Sequence, residues 1–411
     1  MKDTYSTTIG VCAPVDIKLL NWDFKGADLP HAHTIPATAN FVNGLLKRGY
    51  RVVVYTNSTE VDRPQVYETD QLTVCVGRLR PQPGRRFFQF EINELKTLIE
   101  ENPCDFISAF WSYEFAWAAL KTGIPTVVSL RDIATQILMY HKDMFRIVRW
   151  IMNAIVVNKA KHLIANSAYT YNQISKRLQA KTRIINNFYS NSLESDFVKP
   201  VQKKNYVVSI AQGFSIRKNI DTAIRAFAKV RQQDPTLEYH LIGVDMEENG
   251  AAHQFAKEHN LEDGIKFIGV LPFHELIQKV TEARILLHPA REESFGMVLL
   301  EAMVRETPVI GGSKSGFVPH LLNHGKAGLI TDINSADAIA ETLLKLLHDQ
   351  ELYQTLVRDG YQFAKANFSE DVIIDKHLAY YEEILGKPLK PAFQGEVEPE
   401  VEGKEEQPQR V

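Results

Sequence analysis

The sequence predicts an α/β protein of two doubly wound domains, each a parallel sheet with helices on both faces. Three observations predict it. Short β-rich runs alternate with helical patterns along the chain, and the alternation comes in two successive blocks. At 411 residues the chain exceeds what one hydrophobic core usually holds. A polar stretch with neither periodicity, residues 186–205, separates the blocks.

In the first block the β-rich runs fall at 7–13, 51–56, 72–77, 105–110, 126–130 and 162–166. Segments such as "TANFVNGLLKRG" between them are helical, with Gly49 as a C-terminal stop. The second block places runs at 206–211, 239–243, 265–269, 285–289 and 308–312. The expected domains are therefore 1–188 and 203–368, followed by a helix at 369–386 that crosses back to the first domain. Residues 388–411 are acidic, contain Pro, and have too little apolar content to fold alone, so disorder is expected there.

Composition is ordinary, 45% hydrophobic and 24% charged with a net charge of −3, which does not favour nucleic acid as a partner. Cys12, Cys75 and Cys104 lie far apart without metal-ligand spacing, which suits a reducing cytosol. The start "MKDTYSTTIGVCAPV" reads as a first strand, not a signal peptide. No apolar run approaches the ~20 residues of a membrane span. A cytoplasmic protein is expected. Two basic-aromatic stretches, 77–90 and 139–161, admit peripheral contact with the inner membrane face. They equally admit ordinary packing on a sheet with cations reaching out to water.

The chemistry concentrates in "REESFGMVLLEAM", where Glu293 precedes and Glu301 lies within a nearly all-apolar helix pattern. Pro289 ends the preceding strand, Ser294 is a candidate N-cap, and Gly296 falls in the first turn. Were both glutamates helical, they would be about 80° apart and roughly 12 Å apart along the axis, so they form no close carboxylate pair. The helix start offers unpaired amides suited to phosphate. A carboxylate two turns on suits a diol. Phosphate beside a diol describes a nucleotide; the other option is that a Lys or Arg meets Glu301.

These residues carry a resemblance. The stretch "HPAREESFGMVLLEAMVRETPVIGGSKSGFVPHLLNHGKAGLI" resembles the signature of the retaining, nucleotide-sugar-dependent glycosyltransferases of family four, with the two-domain, Rossmann-like GT-B fold. The matching positions are Glu293, Phe295, Gly296, Glu301, Ala302, Met303, Pro308 to Ile310, and Ser315 with Gly316. The likeness covers most of 205–385 and runs more loosely through the first domain. It implies that Glu301 binds ribose hydroxyls and Glu293 those of the transferred sugar. The amides of Phe295, Gly296, Met297 and Val298 would hold sugar and diphosphate. Val270 and Leu271 would meet the base through their backbone. Lys218 matches the family's Lys in the loop "AQGFSIRKNI", Arg217 supplies a second charge, and Asn219 stands where the family has Gly. Fixed cations there would offset charge growing on the leaving diphosphate. "GGSKSG", 311–316, borders the site or is a tight turn.

In the first block, His31 and His33 lie in a long loop after the first strand, which the resemblance assigns to the acceptor side. Where the family often has His-Asp, this chain has Arg131 and Asp132. Arginine is no general base, but it binds phosphate bidentately. Asn166, Ser167 and Asn187 match further family positions near the cleft. The resemblance implies Glu293, Lys218 and Arg131 as catalytic groups, a nucleoside-diphosphate sugar as donor, and a hydroxyl acceptor on a glycan, lipid or small molecule. No cofactor and no metal are expected. Two other readings are a nucleotide-sugar epimerase on the same fold and a non-catalytic partner subunit.

Overall fold

The computed structural model describes residues 6–33, 35–195 and 201–393. Eight strands form the first sheet: β1 (Thr8–Cys12), β2 (Arg51–Ser58), β3 (Gln65–Glu68), β4 (Leu72–Arg78), β5 (Phe106–Phe110), β6 (Thr126–Leu130), β7 (His162–Ala165) and β8 (Thr182–Ile184). Their order is β3-β4-β2-β1-β5-β6-β7-β8. β5 and β6 are buried along their whole length, as strands covered on both faces must be. β3 pairs antiparallel with β4 at the sheet edge. Its sequence, QVYE, alternates half-buried and exposed residues, so it carries no apolar run to announce it. β8, TRI, is mostly exposed and was silent for the same reason.

The second sheet holds β9 (Tyr206–Ile210), β10 (Glu238–Ile242), β11 (Ile265–Gly269), β12 (Ile285–His288), β13 (Val309–Gly312) and β14 (Leu329–Thr331). The order is β11-β10-β9-β12-β13-β14, and every pair is parallel. Side chains alternate between its two faces. Val207, Leu241 and Leu287 join a cluster with Ile224, Phe227 and Leu343. Their chain neighbours Val208, Ile242 and Leu286 join another with Leu299, Leu300 and Val304. Period-two alternation thus feeds two cores, one per face. Strand order reverses between β9 and β12, and in such sheets ligands bind where the carboxyl ends diverge.

The chain divides into two compact units. One comprises Met1–Ser129, Asp143–Leu163 and His377–Val411; the other comprises Leu130–Lys142 and Ile164–Lys376. The final helix, Glu370–Leu385, passes from one to the other after Lys376. The expected disorder from 388 onward needs correction for its first residues. Thr7 N donates to Lys390 O at 2.8 Å, and Ala392 N and Phe393 N donate to Gly49 O at 2.8 and 3.1 Å. Gly49 has φ +77, and a Cβ there would meet Phe393 O at 2.2 Å. Residues 394–411, the rest of that expectation, lie outside the described residues. Among the described residues no helix is long and apolar enough to cross a membrane.

Candidate active site

The loop after β9 delivers the cations. Helix Ile220–Arg231 begins behind Asn219, which holds a left-handed backbone at φ 57. Asn tolerates that region better than most residues, which explains how it fills a glycine position. Its fully buried amide donates to Pro289 O at 3.0 Å and Ile333 O at 2.7 Å, and its Oδ1 accepts from Thr222 Oγ1 at 2.8 Å. The side chain therefore ties this loop to the one after β12. Arg217 O accepts the Arg291 amide at 2.8 Å, a second tie.

The loop after β12 carries the acids. Lys218 Nζ stands 3.3 Å from Glu293 Oε2, and Arg217 Nη1 stands 3.6 Å from Glu292 Oε2. His288, at the end of β12 and nearly inaccessible, brings its Nε2 to 3.5 Å from the same Glu293 oxygen. That distance is the outer limit of a hydrogen bond, and Nε2 has no nearer partner among the described residues. Burial alone would raise the Glu293 carboxyl. The His288 imidazole and then the charge of Lys218 outweigh burial and hold it at about 2. Burial also lowers the His288 pKa, so the imidazole is neutral near pH 7, and it raises Glu292 above the usual carboxylate range. Sequence reasoning passed over both groups; a polar residue closing the otherwise apolar strand "ILLH" was the available signal for His288.

Helix Met297–Val304 starts differently from the expectation. Gly296, not Ser294, occupies the N-cap position, with φ 99. A Cβ there would lie 2.7 Å from Leu299 Cδ1, so the turn requires glycine on both counts. No side chain caps the helix. Among the described residues nothing accepts from the amides of Phe295, Gly296, Met297 or Val298. The Phe295 ring is core, stacked on Phe317 at 5.2 Å between centroids. The "GGSKSG" turn braces this loop: Phe317 N donates to Glu293 O at 3.0 Å, and a Cβ on Gly316 would meet that oxygen at 2.2 Å.

Glu301 is the unusual group. It is half-buried, and its carboxylate has neither a hydrogen bond nor an ion pair among the described residues. The Lys or Arg partner considered from the sequence does not meet it. Burial pushes its carboxyl up to about 7.

Ser294 is held from the segment after β6. Its Oγ donates to Arg131 O at 3.2 Å, and its carbonyl accepts from Ser167 Oγ at 2.6 Å. Asn166 Nδ2 also donates to Arg131 O at 3.2 Å, and the Arg131 guanidinium donates to Asn187 Oδ1. Arg131, Asn166, Ser167 and Asn187 thus share one compact unit and one network with the residue next to Glu293. Val270 is well exposed and Leu271 half-buried, just beyond β11. In the other unit, His33 Nε2 lies 2.9 Å from Asn57 Oδ1, and burial lowers its pKa. The His31 amide donates to Glu60 at 2.6 Å. Among the described residues no three His, Cys, Asp or Glu side chains converge as metal ligands.

The domain model for Glycosyl transferases group 1 matches residues 192–363, and that for Glycosyltransferase Family 4 matches residues 37–191. N-acetyl-alpha-D-glucosaminyl L-malate synthase of Bacillus anthracis is 24% identical over 271 residues, covering 64% of this chain and 68% of that protein. Among solved structures, sucrose-phosphate synthase of Thermosynechococcus elongatus superposes with a TM-score of 0.70 at 19% identity, over 92% of this chain and 99% of that one. Anabaena HepE in complex with UDP and glucose superposes at 0.64 and 18% identity, over 92% and 100%. Two Rossmann-like parallel sheets with these matches define a glycosyltransferase of GT-B architecture. The chain belongs to glycosyltransferase family four.

Proposed function

We propose that this glycosyltransferase moves a hexose-type sugar from a nucleoside diphosphate to a hydroxyl acceptor with retention of anomeric configuration, in glycan, polysaccharide or glycolipid assembly. One observation carries the reading: the unpartnered Glu301 carboxylate follows four amides that meet no acceptor among the described residues. Even half-burying a carboxylate without a partner is unfavourable, and a ribose diol supplies two donors to it. The helix amides, Arg217 and Lys218 would receive the diphosphate.

The chemistry follows from charge. Glu293, held at about 2, stays ionised at working pH, so it accepts sugar hydroxyls and does not donate a proton. His288 beside it is neutral. In the proposed step the bond from the sugar's anomeric carbon to the diphosphate oxygen breaks, and the acceptor oxygen bonds on the same face. The acceptor proton passes to the departing phosphate oxygen. Arg217 and Lys218 offset the charge gathering there. Arg131, tied to Asn187 and beneath Ser294, positions this loop.

The test incubates the protein with UDP-, GDP-, ADP- and TDP-sugars and follows nucleoside diphosphate release. The expected outcome is slow hydrolysis with one donor, accelerated by an acceptor, with the product's anomeric configuration matching the donor's by NMR. Release with no donor would sink the reading, and conversion to an epimer would assign the fold to epimerase chemistry instead. HepE, bound to UDP, suggests UDP-sugars as the first to try.

A further inference from the structure

Strand β12 reads ILLH, is buried throughout, and ends on a ring that is 3% exposed. Burying imidazole nitrogens without hydrogen bonds is unfavourable, so His288 calls for a reason. Its Nε2 faces Glu293 Oε2 at 3.5 Å and has no nearer partner among the described residues. Lys218 Nζ reaches the same oxygen at 3.3 Å. Glu293 Oε1 accepts no hydrogen bond among the described residues. One oxygen of the carboxylate is thus gripped twice and the other is left open.

The two grips differ in rigidity. His288 is fixed as strand: it lies in register with Gly311 of β13, and the next carbonyl, Pro289 O, accepts from the buried Asn219 amide at 3.0 Å. Lys218 comes from the loop after β9 on a long, flexible stem. Glu293 itself stands in a loop, and its rotatable side chain would turn about a single contact. A donor carried by a strand holds it more precisely than one carried by a loop. Burial keeps the ring neutral, so it adds direction without adding a second charge. An ionised carboxylate only accepts, which selects the tautomer with the proton on Nε2.

We propose that His288 is a positioning residue for sugar transfer: its Nε2–H closes on Glu293 Oε2 when the donor binds and aims Oε1 at the hydroxyls of the transferred sugar. The inference rests on the donor reading above, since it needs a sugar at Glu293. Hydrogen bonds in a site without substrate are commonly long and shorten in the complex, which accounts for the 3.5 Å separation. The consequence is selective. His288 acts on the sugar half of the donor, through Glu293, whereas Glu301, the helix amides and Arg217 would hold the nucleotide half.

Calorimetry on the full chain with the UDP-, GDP-, ADP- and TDP-sugars above, and with the matching free diphosphates, tests it. His288→Phe keeps a ring and removes the donor. It should weaken nucleotide-sugar binding roughly tenfold, the worth of a hydrogen bond to a charged group, and leave free-diphosphate affinity within roughly twofold. Unchanged diphosphate affinity also shows that the variant folds. His288→Gln, long enough to offer an N–H near the Nε2 position, should recover most of the loss; His288→Asn, too short to reach Oε2, should not. In a Glu293→Gln background His288→Phe should change little, because groups acting through one another are not additive. Equal losses with sugar and free diphosphate would make His288 a core residue alone and overturn the proposal. Full additivity with Glu293→Gln, or no rescue by His288→Gln beyond that by His288→Asn, overturns it too. If the parent binds nucleotide sugar and His288→Phe binds it equally well, only this inference fails. If the parent binds no nucleotide sugar, the donor reading fails and takes this inference with it.

Discussion

Glu301 makes the sharpest residue-scale prediction, because its protonation couples to two measurable quantities in opposite directions. Its carboxyl titrates near 7 when folded, above its value in an unfolded chain. Between those values the folded state holds the extra proton, so its contribution to stability falls as pH rises from the ordinary carboxylate range through about 7. Hydroxyl donors favour the ionised form, so nucleotide-sugar affinity should rise, roughly tenfold from about pH 6 to about pH 8. Glu301→Gln should erase both trends, checked by thermal melts without ligand and by calorimetry with it. Affinity that stays flat with pH in the parent would remove the diol role. Glu293 behaves oppositely: held near 2 by His288 and Lys218, its contribution is intact at neutral pH and fades only as pH falls below the usual carboxylate range.

At the scale of elements, the helix start after β12 is the part most tightly specified. Gly296 needs both a left-handed backbone and the absence of a Cβ, with Leu299 behind it. Gly296→Ala should therefore cost roughly 1–3 kcal/mol, read as a lower urea midpoint with an unchanged slope. It should also weaken donor binding, since the amides that follow would be re-aimed. The sequence pattern placed the helix correctly but misread its beginning, assigning the cap to Ser294. Serine before a helix is a sound local signal. What overrides it is a partner distant in sequence: Ser294 Oγ donates to Arg131 O, 163 residues away. Asn219 shows the converse. Its left-handed backbone could not be inferred from "RKNI", yet two hydrogen bonds to two other loops, and one from Thr222 of its own helix, hold the side chain in place.

For the whole molecule, the C-terminal segment supplies a direct test. A chain ending at Phe393 keeps the backbone bonds to Thr7 and Gly49 and the buried Leu389; one ending at Lys387 loses them all. The shorter chain should melt lower, by an amount corresponding to roughly 2–4 kcal/mol. Equal melting temperatures would mean that the segment contributes nothing. The alternation of β-rich runs and helices, the apolar interior of both sheets, and the loops at the carboxyl ends of β9 and β12 were all determined by the sequence alone. Burial on a strand or helix repeats every two or 3.6 residues, and a linear pattern records it directly. The polar edge strands β3 and β8 escaped because they bury too little to leave that record. Only the tertiary structure decided which side chains meet. Lys218 reaches Glu293 across 75 residues, Ser167 reaches Ser294 across 127, and Glu301 meets no partner among the described residues. Periodicity fixes which face a residue occupies, whereas a pairing depends on how distant segments converge, and no local pattern encodes that.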